Sequence, residues 1–242
     1  MNILKYLAFT ALLALSACGG SGGPSILTAQ FVDDPVAGLT YTCSGGTPNQ
    51  INSGVTDANG QFNYQAGQSC VFKVGNVTLG TISDIPTDGK VTPQDVAGVS
   101  RGATDSPSAL AIAQFLQSLH DGSASGKIVI SDATRTAFAS APAVTLASTG
   151  GTVSQADLQA LVQTAGKDLI SPTAAKAALE NQIALGVVDK SKGSIGANAP
   201  VVLNSISVSS AKSSNPAGIT SQLGAVGYYS DGSNKDITSL VT

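Results

Sequence analysis

The chain has 242 residues, with 12 Lys+Arg against 15 Asp+Glu and a net charge of −3 at neutral pH. That mildly acidic balance argues against nucleic acid or anionic lipid headgroups as partners, and the length allows two domains or one and a half with linkers. Only 11 % of residues are charged and 5 % aromatic, with no Trp, which suits a β-rich exported module better than a cytosolic enzyme.

Residues 1–17 carry one lysine, Lys5, then an apolar run from Tyr6 to Leu15 and the small residues Ser16 and Ala17 before Cys18. A bilayer core needs roughly 20 apolar residues, and this run ends at Gly19-Gly20-Ser21-Gly22-Gly23, so a cleaved signal fits better than a membrane span. Leu15-Ser16-Ala17-Cys18 resembles the processing site of bacterial lipoproteins, in which the cysteine is acylated and becomes the mature N-terminus. The resemblance implies three acyl chains on Cys18 and attachment to the membrane through that lipid, where one chain alone would hold weakly. It also implies a place in the bacterial cell envelope. Gly19, rather than the Asp that retains such proteins at the inner membrane, favours the outer membrane, facing periplasm or cell surface. Loss of the signal removes Lys5 and brings the net charge to −4. Residues 18–29 read as a flexible Gly/Ser tether.

Residues 30–82 read as a small β-sandwich. Leu39, Tyr41 and Cys43 alternate with Thr40, Thr42 and Ser44. Phe62 and Tyr64 alternate with Gln61 and Asn63, and Cys70, Phe72 and Val74 repeat the pattern. Asp57-Ala58-Asn59-Gly60, Ala66-Gly67-Gln68 and Gly75-Asn76 read as turns. Cys43 and Cys70 fall on inward-facing positions. In an oxidising compartment an even pair reads first as a disulfide, contributing roughly 3–4 kcal/mol in the chain-entropy model. Two buried free thiols or a two-ligand metal site are the alternatives, and the lack of a nearby His or further Cys weighs against zinc.

Residues 83–190 read as helical and packed on the β module. Ser106-Pro107 offers a cap and a first-position proline, and Ile112, Phe115, Leu116 and Leu119 share one helix face. Lys127 to Ile130 is a short β-like run, and Ser131 to Ser140 fits a turn or two of helix. Ser154 can cap a helix with Asp157 three residues on and Val153 stapled to Leu158. That helix buries Leu158, Leu161, Val162 and Ala165 and can end at Gly166. Ser171-Pro172 opens another, with Ala175, Ala178, Leu179 and Ile183 on its face. Residues 191–200 read as a linker.

Asp34-Pro35-Val36-Ala37-Gly38-Leu39 and Thr56-Asp57-Ala58-Asn59-Gly60-Gln61-Phe62 resemble the strand-and-turn phrases of carboxypeptidase-regulatory-like, transthyretin-type β-sandwiches. They are also similar to the N-terminal module of many secreted bacterial lipoproteins and adhesins, with Val91 to Val96 and Ala113 to Leu119 as its continuation. The resemblance covers about residues 31–130 and implies little about ligand.

Residues 201–242 read as an incomplete bacterial Ig-like domain. Leu203, Ile206 and Val208 suggest one strand, Ile219 to Leu223 and Ala225 to Tyr229 a second, and Asp236 to Thr242 lead towards a third. Tyr229-Ser230-Asp231-Gly232-Ser233 followed by Asp236-Ile237-Thr238 resembles the group 2 Ig-like domains of intimin- and invasin-type adhesins. That family continues with a core Trp and further strands, so the chain is expected to be the N-terminal part of a longer protein. A half sandwich leaves an apolar face and open edges.

No catalytic constellation emerges and no cofactor or metal is expected. His120, the one histidine, reads as a helix-end residue near solvent and lacks a positioned nucleophile. The acids Asp33, Asp34, Asp57, Asp88, Asp105, Asp121 and Asp231 fall where turn chemistry explains them. Glu180 lies four residues after Lys176 and reads as a solvated pair. Asp57 to Gly60 and Asp231 to Asp236 lack the spacing and bidentate Glu of an EF-hand calcium loop. The expected class is therefore α+β and multidomain: a small N-terminal β-sandwich, a helical middle region and a partial C-terminal Ig-like sandwich. The expected function is noncatalytic, with adhesion, binding or scaffolding through an extracellular glycan or protein ligand. The alternative is the N-terminal appendage of a secreted polysaccharide- or protein-degrading enzyme with its catalytic domain beyond Thr242.

Overall fold

Alternating burial shapes the N-terminal strands: β1 (Leu27–Phe31), β2 (Val36–Ala37), β3 (Thr40–Gly45), β4 (Asn52–Val55), β5 (Gln61–Tyr64), β6 (Gln68–Val74) and β7 (Val77–Ile82). In β3 Tyr41 and Cys43 are buried while Thr42 and Ser44 are exposed, and in β6 Cys70, Phe72 and Val74 are buried. The structure, a computed structural model, describes residues 25–47, 49–147, 153–193, 203–210, 223–229 and 234–240. The signal segment with Cys18, linker residues 194–200 and the expected turns at 214–218 and 230–233 lie outside the described residues. Strand β1 opens inside the span read as a tether.

Further along come β8 (Lys90–Val91), α1 (Pro93–Ala97), α2 (Pro107–Ser118), β9 (Ile128–Val129), α3 (Asp132–Ala139), β10 (Val144–Thr145), α4 (Gln155–Gln163) and α5 (Pro172–Ala184). The strands form a five-stranded sheet in the order β10-β7-β6-β3-β4 and a three-stranded sheet in the order β5-β1-β8, with β2 paired to β9. Aromatic rings meet between the two larger sheets: Phe72 of β6 lies 5.0 Å from Phe31 of β1 and 5.1 Å from Phe62 of β5, both edge to face. The class is α+β with sandwich-like sheets.

The stretch expected to be mostly helical supplies three short strands, of which β9 falls within the β-like run expected at Lys127 to Ile130. The two-residue elements β8, β9 and β10 pair in parallel with β1, β2 and β7. Parallel pairing needs a crossover: helices lie within the β2-to-β9 and β7-to-β10 connections, whereas strands β2 to β7 lie between β1 and β8. Ile112, Phe115, Leu116 and Leu119, with Phe138 from α3 and Leu158, Leu161 and Val162 from α4, belong to the same apolar core as the sheets. Phe115 and Phe138 stack edge to face at 5.3 Å. α5 is held differently: Ala175 and Leu179 join Ala113 in a separate small cluster.

Capping follows local chemistry. Ser154 Oγ accepts the Asp157 N–H at 3.1 Å and Ser171 Oγ accepts the Ala174 N–H at 3.1 Å. Ser106 precedes α2, but its side chain makes no capping bond, so Pro107 alone marks that start. Gly60 closes the Asp57 turn at φ +73°, where a Cβ would lie 2.8 Å from the Phe31 carbonyl oxygen.

A further sheet, antiparallel throughout, consists of β11 (Leu203–Ser210), β12 (Leu223–Tyr229) and β13 (Asn234–Asp236). Thr238–Leu240 form a 3-10 turn where the sequence suggested a continuing strand. The Asp236 carboxylate accepts the Thr238 N–H at 2.9 Å, and Thr238 Oγ1 accepts the Ala225 N–H at 2.9 Å, which bends the chain.

Candidate functional site

The most concentrated polar chemistry lies where sheet and helices meet. Thr92 opens α1 through a capping box: its Oγ1 accepts the Asp95 N–H at 3.2 Å, and Asp95 Oδ2 accepts the Thr92 N–H at 2.9 Å. This geometry turns the Asp95 carboxylate back toward the sheet, where it meets Arg101 from the loop after α1. Arg101 is fully buried. Its Nε donates to Asp95 Oδ2 at 3.0 Å and its Nη1 to Asp88 Oδ2 at 2.6 Å. Two carbonyls complete the set, Lys90 at 2.6 Å from Nη2 and Asp189 at 2.9 Å from Nη1. Burial pushes the Asp95 carboxyl above its ordinary value, against the pull of Arg101. Burial works against the Arg101 charge, but Asp88 and Asp95 outweigh it and hold the guanidinium above its ordinary value. The cluster is an electrostatic lock that joins α1, β8 and the segment after α5.

Beside it, Gln94 donates to the Arg101 carbonyl at 3.1 Å, while its buried Oε1 has no hydrogen-bond partner among the described residues. That amide borders a narrow gap lined by Val32, Leu179, Gln182 and Val188.

Asp33 follows β1 in the expected turn, and its side chain is buried there. Gln117 Nε2 reaches both its oxygens, at 2.9 and 3.1 Å. Desolvation, partly offset by that hydrogen bond and reinforced by Asp34, pushes the Asp33 carboxyl up to about 8. Asp34 adopts φ +56° and accepts from Gln182 of α5 at 2.6 Å. These two acids tie β1 to α2 and α5, a role that turn chemistry alone did not anticipate.

The remaining expected residues stand apart. Cys43 and Cys70 are directly opposite on β3 and β6 and form a disulfide with both residues buried. His120 lies after α2, where its Nδ1 accepts the Val129 N–H at 3.1 Å and so fixes β9. Asp57 Oδ1 accepts the Asn59 and Gln61 N–H groups, each at 2.8 Å, so that carboxylate serves its own turn. Asp88 does both jobs, accepting the Lys90 N–H at 3.1 Å and pairing with Arg101. Lys176 and Glu180 form the expected pair on α5. Among the described residues, no group of three or more His, Cys, Asp or Glu side chains could hold a metal ion, and no helix is long and apolar enough to cross a membrane. A groove of about 430 Å³ between β10 and α4 is walled by Val144, Val153, Ala160 and Leu161. Its Asp157 already accepts the Ser154 hydroxyl at 2.6 Å, so few polar groups remain to orient a ligand.

Arg101 is the residue that sequence reasoning missed. Its available signal was spacing: an arginine six residues after Asp95 and thirteen after Asp88 in a chain with few charges. No family model, no curated protein and no solved structure matches the chain.

Proposed function

We propose that the chain is a noncatalytic, lipid-anchored protein of the bacterial cell envelope with an outer-membrane placement. In this reading Cys18 carries the lipid, and residues 30–190 form a disulfide-stapled base. Residues 201–242 contribute the opening part of an Ig-like domain that is presented away from the membrane. Adhesion, binding or scaffolding is the activity, through a glycan or protein outside the cell. The observation that carries the reading is Leu15-Ser16-Ala17-Cys18 behind an apolar run too short to span a bilayer. The Cys43–Cys70 disulfide supports it, because such bonds persist in oxidising compartments.

The test expresses wild type and Cys18→Ser in a Gram-negative host fed radiolabelled palmitate. Wild type takes up label and partitions into the detergent phase, and Cys18→Ser does neither. Membrane partitioning by the serine variant would defeat the lipid reading. Screening the unlipidated protein against glycan and matrix-protein arrays tests the binding half, and the gene downstream of codon 242 tests the rest: further Ig-like repeats favour this reading, and a catalytic domain favours the enzyme-appendage alternative.

A further inference from the structure

The chain enters and leaves its N-terminal unit across one short strand. Upstream, the Gln30 N–H donates to the Gly89 carbonyl at 2.8 Å and the Val32 N–H to the Val91 carbonyl at 2.7 Å, which fastens β1 along β8. Downstream, the segment after α5 is fastened to β8 by side chains. Lys90 Nζ donates to the Val187 carbonyl, and Arg101 bridges the Lys90 carbonyl at 2.6 Å and the Asp189 carbonyl at 2.9 Å. Gly193 then passes over the guanidinium stem so closely that a Cβ there would lie 2.9 Å from Arg101 Cγ. The arginine is in turn held by Asp88 and Asp95.

This fastening matters because α5 is weakly packed. Its buried residues are Ala175, Leu179 and Gln182, and its apolar contacts lie in a cluster separate from the main core. Apolar attachment scales with buried area, so tension on the outgoing chain would peel α5 before disturbing the sheets. The contacts at Val187 and Asp189 intercept that tension downstream of the helix and pass it to β8, and from there to β1.

We propose that Arg101 and Lys90 form a mechanical clamp that carries load between β1 and the chain leaving at Gly193, sparing α5. Its use in the cell rests on the tethered arrangement proposed above. The clamp itself does not, since unlipidated protein serves for the test and a failed palmitate experiment would leave the force result standing.

The experiment stretches the full unlipidated chain in optical tweezers. Azide-bearing handles are placed at exposed Ser25 and Lys192, spanning the clamp, or at Ser25 and Ser123, which do not. Arg101→Lys and Lys90→Met are compared with wild type, and thermal melts confirm folding. Lys90→Met removes one peripheral bond and keeps the test alive if Arg101→Lys fails to fold. Forced unfolding reports the unfolding barrier, and we expect a roughly twofold lower force across residues 25 and 192 with little change across 25 and 123. Wild-type force across 25 and 192 in Lys90→Met, or equal proportional weakening in both geometries, would overturn the clamp.

Discussion

Replacing Asp33 by asparagine should make this protein more stable in mildly alkaline solution. Asp33 is 1 % exposed, and Gln117 is its side-chain hydrogen-bond partner. Its carboxyl titrates at about 8 in the folded state against 3.8 in an unfolded chain, chiefly because burial disfavours the anion. The folded state therefore keeps a proton that the unfolded state releases, and stability falls as pH rises between those two values. The stabilising contribution is complete below about pH 4 and lost by about pH 8, a span worth at most about 5–6 kcal/mol. Asparagine keeps the shape and can exchange amide bonds with Gln117 but has no proton to lose. Urea unfolding of both proteins from pH 4 to pH 9 checks this. Near pH 4 the two should unfold together. Above pH 8 the variant's midpoint should lie about 2 M higher, given urea slopes of roughly 1–3 kcal/mol per molar. Parallel loss of stability in both proteins across the range would show that Asp33 is ionised and solvated in the folded state, and the reasoning would fail.

Removing the disulfide with Cys43→Ala and Cys70→Ala together should cost about 3.5 kcal/mol in urea unfolding, because the closed loop has a sequence separation of 27. A double variant as stable as wild type would show that the link adds nothing beyond the strand pairing. Helix caps give a paired contrast. Ser171→Ala should cost about 1 kcal/mol, since its hydroxyl oxygen accepts a backbone N–H, whereas Ser106→Ala should be close to neutral because its side chain makes no such bond. Equal costs in thermal melts would contradict the cap assignments.

Much of the sheet framework was legible because its strands are long enough to show a period. Cys43 and Cys70 fall inward on alternating strands and meet across the β3–β6 ladder. Ile112, Phe115, Leu116 and Leu119 share a helix face and enter the main core. Elements of two residues carry no periodicity, so β8 and β10 were invisible, although they decide which strand lies beside β1 and β7. The acids were harder still. Asp57 sits in a turn that its own carboxylate completes, and Asp33 sits in an equally turn-like sequence but is buried against Gln117. The difference comes from an α2 residue 84 positions away, which local sequence cannot report. Arg101 differs: its acid partners lie only six and thirteen residues away, a spacing that could have been read, and only its bond to the Asp189 carbonyl after α5 is remote in sequence.

The buried charges also explain how helices with modest apolar faces find one position on the sheet. A buried ion pair seldom adds net stability over well-packed apolar residues, because desolvation offsets attraction, but breaking one is costly. Arg101→Met removes the guanidinium that Asp95 and Asp88 both contact and should cost about 3–5 kcal/mol. Adding Asp88→Asn and Asp95→Asn removes the two negative charges that the arginine balanced and should recover much of that loss, even though the triple variant has neither of the wild-type Arg101 ion pairs. Urea unfolding at neutral pH measures both steps. The triple variant should keep stability and lose uniqueness: without a directional lock, α5 and the segment through Asp189 can settle in more than one register. That outcome appears as faster amide exchange in α5 at nearly unchanged global stability. A triple variant as unstable as Arg101→Met would mean that the arginine contributes packing and carbonyl bonds rather than charge balance. A triple variant with wild-type exchange in α5 would mean that Ala175 and Leu179 place the helix without help.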